Sequence, residues 1–530
     1  MPPPEKGGHP AKKHGHAAGR EIIHIQVGKC GNAIGHEFWR DIASEHKINF
    51  EGSGQMNGRY TGEEGDIYQE HIDVFFNEGS AGRYVPRAIL VDTNMSDLAQ
   101  ITSDGLGGLY RPENVIGNDE GSGNCYAKAF HTEGPDLADQ VLENVRKEVE
   151  KCECLQGVQF THSICGGAGS GLTGLLLKTL YDYLDKGSKC ILQSFTVVPS
   201  PGLTDVILEP YNAALGMQDL LEYCHQCFLY DNAALGQIVQ NTCEVDVPKL
   251  SHLNNIVGLC MTGITSCLRL PGILDADLRK MQTNLVPFKN AHFLCSSMAF
   301  APLTSPANKE YRKFSVLDLA QQMISKDNVC IKCDPLNPGD PREGILKARF
   351  LASFAAFRGN IYSSEVDEVI YNLHKPGSRF DHYFPDWIPN SISSSICAVP
   401  HESQGDSVTF VSNTTAIHEA FDRICANWDS LHDKHDIDMQ IRYKSRSYLH
   451  VYEQDGISTQ DMMESRNILR YVSDQYQEFA RWEDKFFSEN TGPGGQPILN
   501  EAAILNPEQE AIAKELAELT DCYIATQGRA

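Results

Sequence analysis

The chain has 530 residues, enough for roughly two or three domains, and 41% of them are hydrophobic, as is ordinary for a globular protein. Its 45 basic and 70 acidic residues give a formal net charge of −25, which argues against binding to nucleic acid or anionic membranes and favours basic partners. No segment approaches the ~18 uninterrupted apolar residues that span a bilayer, and the N-terminus lacks the apolar core of a signal peptide. We therefore expect a cytoplasmic protein that binds neither nucleic acid nor membrane.

The N-terminal region predicts a strand followed by a glycine turn. Residues 1–19 are rich in proline, lysine and histidine, which is typical of a disordered extension. Glu21 to Val27 then alternates and is bounded by Gly28, the signature of a β-strand, and the turn from Gly28 to Asn32 leads into a helix. Such strand–turn–helix units build a doubly wound α/β sheet, which binds its ligand at the carboxyl ends of the strands.

Further elements of such a sheet follow along the chain. Arg87 to Asp92 and Cys190 to Val198 predict buried strands, and Gly121 to Asn124 is a turn of small residues. The segment from Asp136 to Lys151 has apolar residues on one side and charged residues on the other, so it predicts a helix that covers one face of the sheet.

A second strand–turn–helix unit is the most informative stretch. An apolar strand ending near Ser163 runs into a glycine-rich turn from Cys165 to Gly171, which opens a helix from Leu172 to Leu184. Glycines let the backbone approach an anion, and the helix N-terminus adds unpaired N–H groups and a positive dipole end. A Walker loop would carry a lysine directly after its last glycine, so this turn is not a P-loop. Because close backbone packing also recruits glycine, the turn alone leaves phosphate binding and packing both open.

The rest of the chain has a different pattern of predicted secondary structure. After about Asn232 comes a region of mixed strands and helices, with strands near 291–293 and 350–357. Two long helical patterns follow from Thr414, separated by an insertion-like stretch, 432–447, that has no clean period. The core side of the second pattern is formed by Leu469, Val472, Tyr476 and Phe479.

The C-terminal segment predicts an amphipathic helix. Asn506 offers an N-cap and Pro507 a favoured first helical residue. The helix would carry one apolar stripe, formed by Ile512, Leu516, Leu519 and Tyr523. The stripe fits either a helix folded back on the protein's own surface or a docking helix for a partner.

Several motifs occur in the same order as in the tubulins. They are the glycine-rich turn and the runs Arg20–Ile25, Gly28–Asn32, Tyr110–Asn114, Val197–Pro201, Glu209–Asn212, Asp277–Lys280, Phe300–Ser305 and Trp387–Asn390. On these motifs the chain resembles the tubulin family up to about Phe479, and its Arg279-Lys280 pair resembles β-tubulin more than α-tubulin. The resemblance implies an α/β fold with a doubly wound, mostly parallel nucleotide-binding sheet, a second mixed α/β domain and C-terminal helices.

The predicted domains follow from this resemblance and from the periodicity. They are a disordered extension (1–19), a nucleotide-binding domain (20–232), an intermediate α/β domain (233–412), a C-terminal helical domain (413–490), and a loop with the amphipathic tail helix (491–530). The resemblance implies that GTP or GDP is the nucleotide. The implied contacts are Gly28, Lys29, Cys30, Asn124, Ser163, Gly166, Gly167, Ala168, Gly169, Ser170, Gly171, Asp205, Glu209, Asn232 and Asn254.

The chain departs from the tubulin pattern at several pocket positions. Lys29 and Ala33 stand in place of glutamines, and Leu250 in place of the tyrosine that stacks on guanine. Asn94 replaces the acidic residue that tubulins associate with magnesium, although Asp92 remains. Since a lysine can neutralise phosphate charge in place of a metal, we expect guanine nucleotide to bind with a weakened dependence on Mg²⁺.

The resemblance also implies an interface loop that contains Asp277 and Lys280 and closes the nucleotide site of the next subunit in a filament. In the family a glutamate in this loop activates water, whereas a protonated lysine cannot act as a general base. We therefore assign no catalytic residue to this chain and expect any GTP hydrolysis only on assembly with a partner subunit.

Two functions remain open. The first is a structural, GTP-binding subunit of microtubules or a specialised microtubule structure, with α-tubulin-like subunits, other tubulins and microtubule-associated proteins as partners. The second is a degenerate tubulin-like protein with weakened or lost GTP binding that associates with tubulin, basal bodies or axonemes without polymerising. The retained glycine turns favour the first, and the substituted pocket residues favour the second. Both place the chain at the cytoskeleton of the cytoplasm, including the cilium or basal body.

Overall fold

The computed structural model describes residues 20–51, 55–63, 66–79, 82–185, 190–200, 206–242, 245–272, 277–300, 315–337, 348–375, 378, 380–385, 388, 391–401, 405–436, 441–444 and 447–490. The chain divides into two compact units, residues 1–480 and 481–530, and the second is described up to Asn490. The predicted N-terminal extension, the tail helix and Asp205 lie outside the described residues. No helix in the described part is long and apolar enough to cross a membrane.

Strands and helices alternate through the first half of the chain. Within the described ranges the strands are β1 Glu21–Val27, β2 Ile48–Glu51, β3 Gln55–Tyr60, β4 Phe76–Glu78, β5 Tyr84–Pro86, β6 Ala88–Asp92, β7 Val115–Gly117, β8 Leu155–Ser163, β9 Ile191–Val198, β10 Gln226–Asp231, β11 Phe293–Phe300, β12 Phe350–Arg358, β13 Ile392–Cys397, β14 Ser407–Thr414, β15 Asp433–Asp436 and β16 Ile441–Lys444. The α-helices are α1 Gly28–Glu45, α2 Met95–Thr102, α3 Gly134–Val149, α4 Thr173–Asp185, α5 Glu209–Tyr223, α6 Asn232–Thr242, α7 Leu250–Arg269, α8 Leu278–Leu285, α9 Val316–Ile324, α10 Ser363–His374, α11 His418–His432, α12 Leu449–Gln454 and α13 Thr459–Asn490. Helices α3 and α4 are preceded by π-helical turns, Lys128–Thr132 and Ala168–Leu172.

One large sheet organises the chain, with the strand order β13-β12-β14-β11-β10-β9-β8-β1-β6-β7. All neighbours from β10 to β7 are parallel. In chain order, β6 and β7 follow on one side of β1, and β8, β9 and β10 then follow on the other side. The strand order therefore reverses between β1 and β8. This confirms the predicted doubly wound α/β sheet. In sheets of this kind, ligands bind in the crevice at such a reversal.

The second part of the sheet is mixed, as predicted. Strand β11 is parallel to β10 but antiparallel to β14, which is antiparallel to β12, and β12 is parallel to β13. The stretch 432–447 contains an antiparallel hairpin of β15 and β16. The sequence did not indicate this hairpin because strands of 4 residues are too short to show a clear period.

Side chains of β1 alternate between two hydrophobic cores on opposite faces of the sheet. Ile23, Ile25 and Val27 pack with residues of α3, α4, α5, α11 and α13, whereas Ile22 packs with residues of α1 and α7. The alternation follows from the period of two in a strand. The predicted core side of α13 is confirmed, because the first core includes or contacts Leu469, Val472, Tyr476 and Phe479.

A buried cluster of charges joins α1 to the second part of the sheet. Glu45, at the end of α1, forms ion pairs with Arg269, Arg358 and His401, all of whose side chains are at most 8% exposed. Burial by itself would raise the pKa of Glu45, but the two guanidinium groups and His401 lower it to about 2. The carboxylate is therefore the counter-ion for two buried arginines.

We predict that Glu45→Gln lowers the free energy of unfolding by about 3–5 kcal/mol, because it leaves buried guanidinium charges without this counter-ion. Since the pKa of Glu45 is about 2 in the folded chain and ordinarily 4.5, the ion pairs stabilise the fold fully above pH 4.5 and lose their effect as the pH falls towards 2. Denaturant unfolding at several pH values measures both effects.

The control is Glu143→Gln, which removes an ion pair between side chains of Glu143 and Arg146 that are 49% and 44% exposed. Its effect on the free energy of unfolding should stay below about 1 kcal/mol, because water screens exposed ion pairs. Equal losses of unfolding free energy in Glu45→Gln and Glu143→Gln would show that burial does not strengthen the ion pairs of Glu45.

Candidate functional site

A cavity of about 360 Å³ lies at the carboxyl ends of β1, β6 and β8. Its walls are the turns that follow these strands, together with the small-residue turn after β7. The lining comprises Val27–Cys30, Asp92–Asn94 with Asp97, Gly121–Asn124, and Ser163 with Gly166–Gly169. The cavity therefore lies at the reversal of strand order, and the predicted glycine turns meet in it.

The glycine turn after β1 packs against the one after β8. Gly28 has a φ of +74°, which favours glycine, and a Cβ there would lie 3.3 Å from the Gly169 nitrogen. A Cβ on Gly31 would lie 2.1 Å from the Thr161 oxygen. Close packing of backbone on backbone therefore requires glycine at position 31.

Gly166 differs from the glycine that follows it. A Cβ on Gly167 would lie 2.6 Å from the Cys125 oxygen, whereas the nearest atom to a Cβ on Gly166 would be Asn124 Oδ1 at 3.9 Å. Packing therefore accounts for Gly167. Gly166 leaves space on the cavity side that packing does not use.

The turn after β8 ends in a helical N-terminus. Ser170 donates to the Gly166 oxygen from its N–H at 3.1 Å and from its Oγ at 2.6 Å, and the π-helical turn then continues into α4. N–H groups at the start of a helix have no partner within it and carry the positive end of the dipole. Ser170 and Gly171, which were predicted as phosphate contacts, are buried and do not belong to the described cavity lining.

Buried polar side chains hold both glycine turns. Asn32 Nδ2 donates to the oxygens of Gly28 and Val91 at 3.0 and 3.1 Å. Burial lowers the pKa of His162 to about 4, so its ring is neutral at physiological pH. His162 Nδ1 lies 2.8 Å from the Gly169 oxygen, and since a carbonyl oxygen only accepts, Nδ1 carries the proton.

The charged side chains at the cavity pair with one another. Lys29, whose side chain is 75% exposed, places its Nζ 3.0 Å from Asp97 Oδ1. Asn94 Nδ2 donates to Asp97 Oδ2 at 3.2 Å. Asn94 Oδ1 accepts from the Ser96 N–H at 3.1 Å and so caps α2. Asn94 thus uses its oxygen to cap the helix and its nitrogen to orient Asp97.

Asp92 is 4% exposed at the cavity wall. Burial raises its pKa to about 6, although its Oδ1 accepts from the Asn94 N–H at 3.3 Å, and its Oδ2 has no hydrogen-bond partner among the described residues. Mg²⁺ demands octahedral oxygen coordination. The Asn94 oxygen caps a helix, Asp97 is paired with Lys29, and the described part of the chain has no metal-holding group of three or more His, Cys, Asp or Glu side chains. Among the described residues, protein side chains alone therefore do not supply a complete ligand set for magnesium; Asp92 and Asp97 are the carboxylates in the cavity lining that could hold the ion together with phosphate and water oxygens.

Three other predicted residues do not belong to the described lining of the cavity, although Glu209 interacts with Cys165 of the turn after β8. Glu209 lies at the start of α5, Asn232 at the start of α6, and Asn254 in the first turns of α7. Cys30 lines the cavity, and burial raises the pKa of its thiol to about 12, so it stays protonated.

The predicted interface residues lie at the start of α8. Asp277 pairs with Arg20 at 3.1 Å and accepts from Gln156 Nε2 at 3.3 Å, and Lys280 is exposed. The sequence pattern did not reveal Asp97 as a site residue. Its position three residues after the N-cap Asn94 is the signal that could have found it, because a cap and the third helical residue face each other.

We predict that Gly167→Ala lowers the free energy of unfolding by about 1–3 kcal/mol, because the new Cβ must displace the backbone of Cys125. Gly166→Ala should change it by less than about 0.5 kcal/mol, since its Cβ meets open space. Thermal and denaturant unfolding of the two variants measure the difference. Equal destabilisation would mean that Gly166 is also required by packing.

Comparison with known proteins agrees with this architecture. Residues 21–240 match the family model of the Tubulin/FtsZ family GTPase domain, and residues 290–426 match that of the tubulin C-terminal domain. The tubulin beta chain of Bombyx mori is 40% identical over 466 residues, which cover 88% of this chain and 95% of that protein. The resemblance predicted from the motifs is confirmed, and the chain belongs to the tubulin family.

Proposed function

We propose that this chain is a guanine-nucleotide-binding tubulin subunit that assembles with other tubulin chains in microtubules or a specialised microtubule structure of the cytoplasmic cytoskeleton. The observation that carries the proposal is the cavity at the reversal of strand order, where two glycine turns meet beside the start of α4. Support also comes from the match of residues 21–240 to a GTPase-domain family and from the tubulin beta chain relative.

The phosphates would lie against the turn from Gly166 to Gly169. The N–H groups at the helix start supply hydrogen-bond donors there, and Gly166 leaves room for an anion to approach the backbone. Lys29 is the one lysine or arginine in the described lining of the cavity. The positive end of α4 and the Lys29 ammonium are therefore the electrostatic partners of the phosphates.

Lys29 would exchange Asp97 for phosphate when nucleotide binds. Its side chain is 75% exposed and flexible, so Nζ can turn from Asp97 Oδ1, 3.0 Å away, to the phosphates. The ammonium then neutralises phosphate charge that a metal ion would otherwise neutralise. This exchange is the physical basis for weakened dependence on Mg²⁺.

The purine would be bound outside the described cavity lining, by Asn232 and Asn254, whose amides can both donate and accept hydrogen bonds. Leu250 begins α7 and is 70% exposed. It offers no aromatic face, which costs about 1 kcal/mol of stacking relative to a tyrosine. We therefore expect weaker nucleotide binding than a tyrosine at this position would give.

A second candidate function is a nucleotide-free tubulin-like protein that associates with tubulin or microtubule structures without polymerising. The Lys29–Asp97 ion pair favours it, because it gives the ammonium a counter-ion that requires no phosphate. Nucleotide binding itself separates the two candidates.

We predict that GDP binds the intact chain with nearly the same affinity in Mg²⁺ and in EDTA. Lys29→Gln should weaken binding in EDTA by about tenfold, the value of one charge-assisted hydrogen bond. Asp97→Asn should strengthen binding, because it releases Lys29 and removes a negative charge near the phosphates. Isothermal titration calorimetry measures all three affinities.

The control is Lys128→Gln. The Lys128 ammonium pairs with Glu133 at 3.8 Å, and Lys128 lies outside the described cavity lining. Its GDP affinity should equal that of the intact chain. A strong Mg²⁺ requirement, or equal losses in the two lysine variants, would contradict the role of Lys29. Absence of binding would favour the nucleotide-free function.

We further predict that an α-tubulin-like partner whose nucleotide faces Lys280 retains its triphosphate. An ammonium pairs with phosphate but cannot act as a general base, whereas Lys280→Glu supplies a base and should permit hydrolysis. Phosphate release from the reconstituted pair is the measurement. Thr283→Glu, which adds an acid at another exposed position of α8, is the control and should leave release slow. Rapid release with Lys280 intact would rule out this interface.

A further inference from the structure

The Asn212 side chain holds two walls of the cavity together. It lies on α5 and is fully buried. Its Nδ2 donates to the carbonyl oxygens of Asn124 and Cys165 at 2.8 and 3.2 Å, and its Oδ1 accepts from the Tyr126 N–H at 3.0 Å. Asn124 belongs to the small-residue turn and Cys165 to the turn after β8. One amide therefore fixes the separation of these two turns.

Backbone groups determine which way this amide points. The carbonyl oxygens of Asn124 and Cys165 only accept, so they face Nδ2, and the Tyr126 N–H only donates, so it faces Oδ1. The remaining lone pair of Oδ1 accepts from the Tyr452 hydroxyl at 2.6 Å. All the hydrogen-bonding positions of the Asn212 amide are thus filled.

Tyr452 lies on α12, in the C-terminal helical region, and is fully buried. Its ring packs edge-on against Tyr211, with centroids 5.8 Å apart and planes at 81°, and its hydroxyl is also 3.5 Å from the Leu208 oxygen. Burial raises the pKa of Tyr452 above its usual range, so the hydroxyl keeps its proton. Helix α12 is therefore connected to both turns through one donated hydrogen bond.

We propose that Tyr452 is a positioning residue for the nucleotide site, that it acts through Asn212, and that nucleotide binding is thereby coupled to the docking of α12. The inference rests on the proposed function. Loss of the hydroxyl would leave a buried lone pair of Asn212 unsatisfied and remove one restraint on both turns. Because such coupling is reciprocal, a nucleotide that orders the turns must also stabilise docked α12.

Titration with GDP tests the proposal on the intact chain and two variants. Tyr452→Phe removes only the hydroxyl and should weaken GDP affinity by roughly two- to tenfold. Tyr476→Phe is the control, since Tyr476 is also fully buried, but its hydroxyl accepts from the Phe293 N–H of β11 at 3.4 Å. Its GDP affinity should equal that of the intact chain.

Hydrogen exchange supplies a readout that a purely structural role would not change. GDP should slow amide exchange at Leu449–Gln454 in the intact chain but not in Tyr452→Phe. A Tyr452→Phe variant that keeps the GDP affinity and the response of α12 would overturn the proposal, whatever its thermal stability. If the amides of α12 exchanged equally fast with and without bound GDP, the intact chain alone would overturn the proposal. Absence of GDP binding would overturn the proposed function as well.

Discussion

The parallel pairing of β1 with β8 is the constraint on which the cavity depends. It sets Gln26 beside Thr161, so the two strands end at the same edge of the sheet and their turns emerge side by side. The approach of α1 to β8 requires glycine at position 31, because a Cβ there would lie 2.1 Å from the Thr161 oxygen. The contact of Gly28 with the turn after β8 follows from this pairing, and the other walls are arranged around it.

Buried polar side chains then fix the turns without facing the cavity. Asn32 holds the turn after β1, His162 holds the turn after β8, and Asn212 connects the latter to the small-residue turn. All three lie outside the described lining of the cavity. Since an unmade buried hydrogen bond costs about 1–3 kcal/mol, they restrain the backbone strongly. The residues that face the cavity, such as Lys29 and Asn94, can therefore differ from the tubulin pattern while the turns keep their shape.

The sequence predicted the buried strands β1, β6, β8 and β9, the glycine turns and the core side of α13, because long segments with a clear period allow few alternatives. It could not separate Gly167, which packing requires, from Gly166, because distances between turns are not encoded in local spacing. The family resemblance assigned Ser170 to the phosphates, and the structure adds that its hydroxyl donates to the Gly166 oxygen at 2.6 Å. The ion pair of Lys29 with Asp97 was missed because the two residues come from different helices.

The central claim is that this cavity binds a guanine nucleotide. Denaturing the purified intact chain and separating the released small molecules by chromatography tests the claim most directly. We expect GDP or GTP in an amount close to that of the protein. Folded protein that releases no guanine nucleotide, and takes up none when GDP or GTP is added, would contradict it.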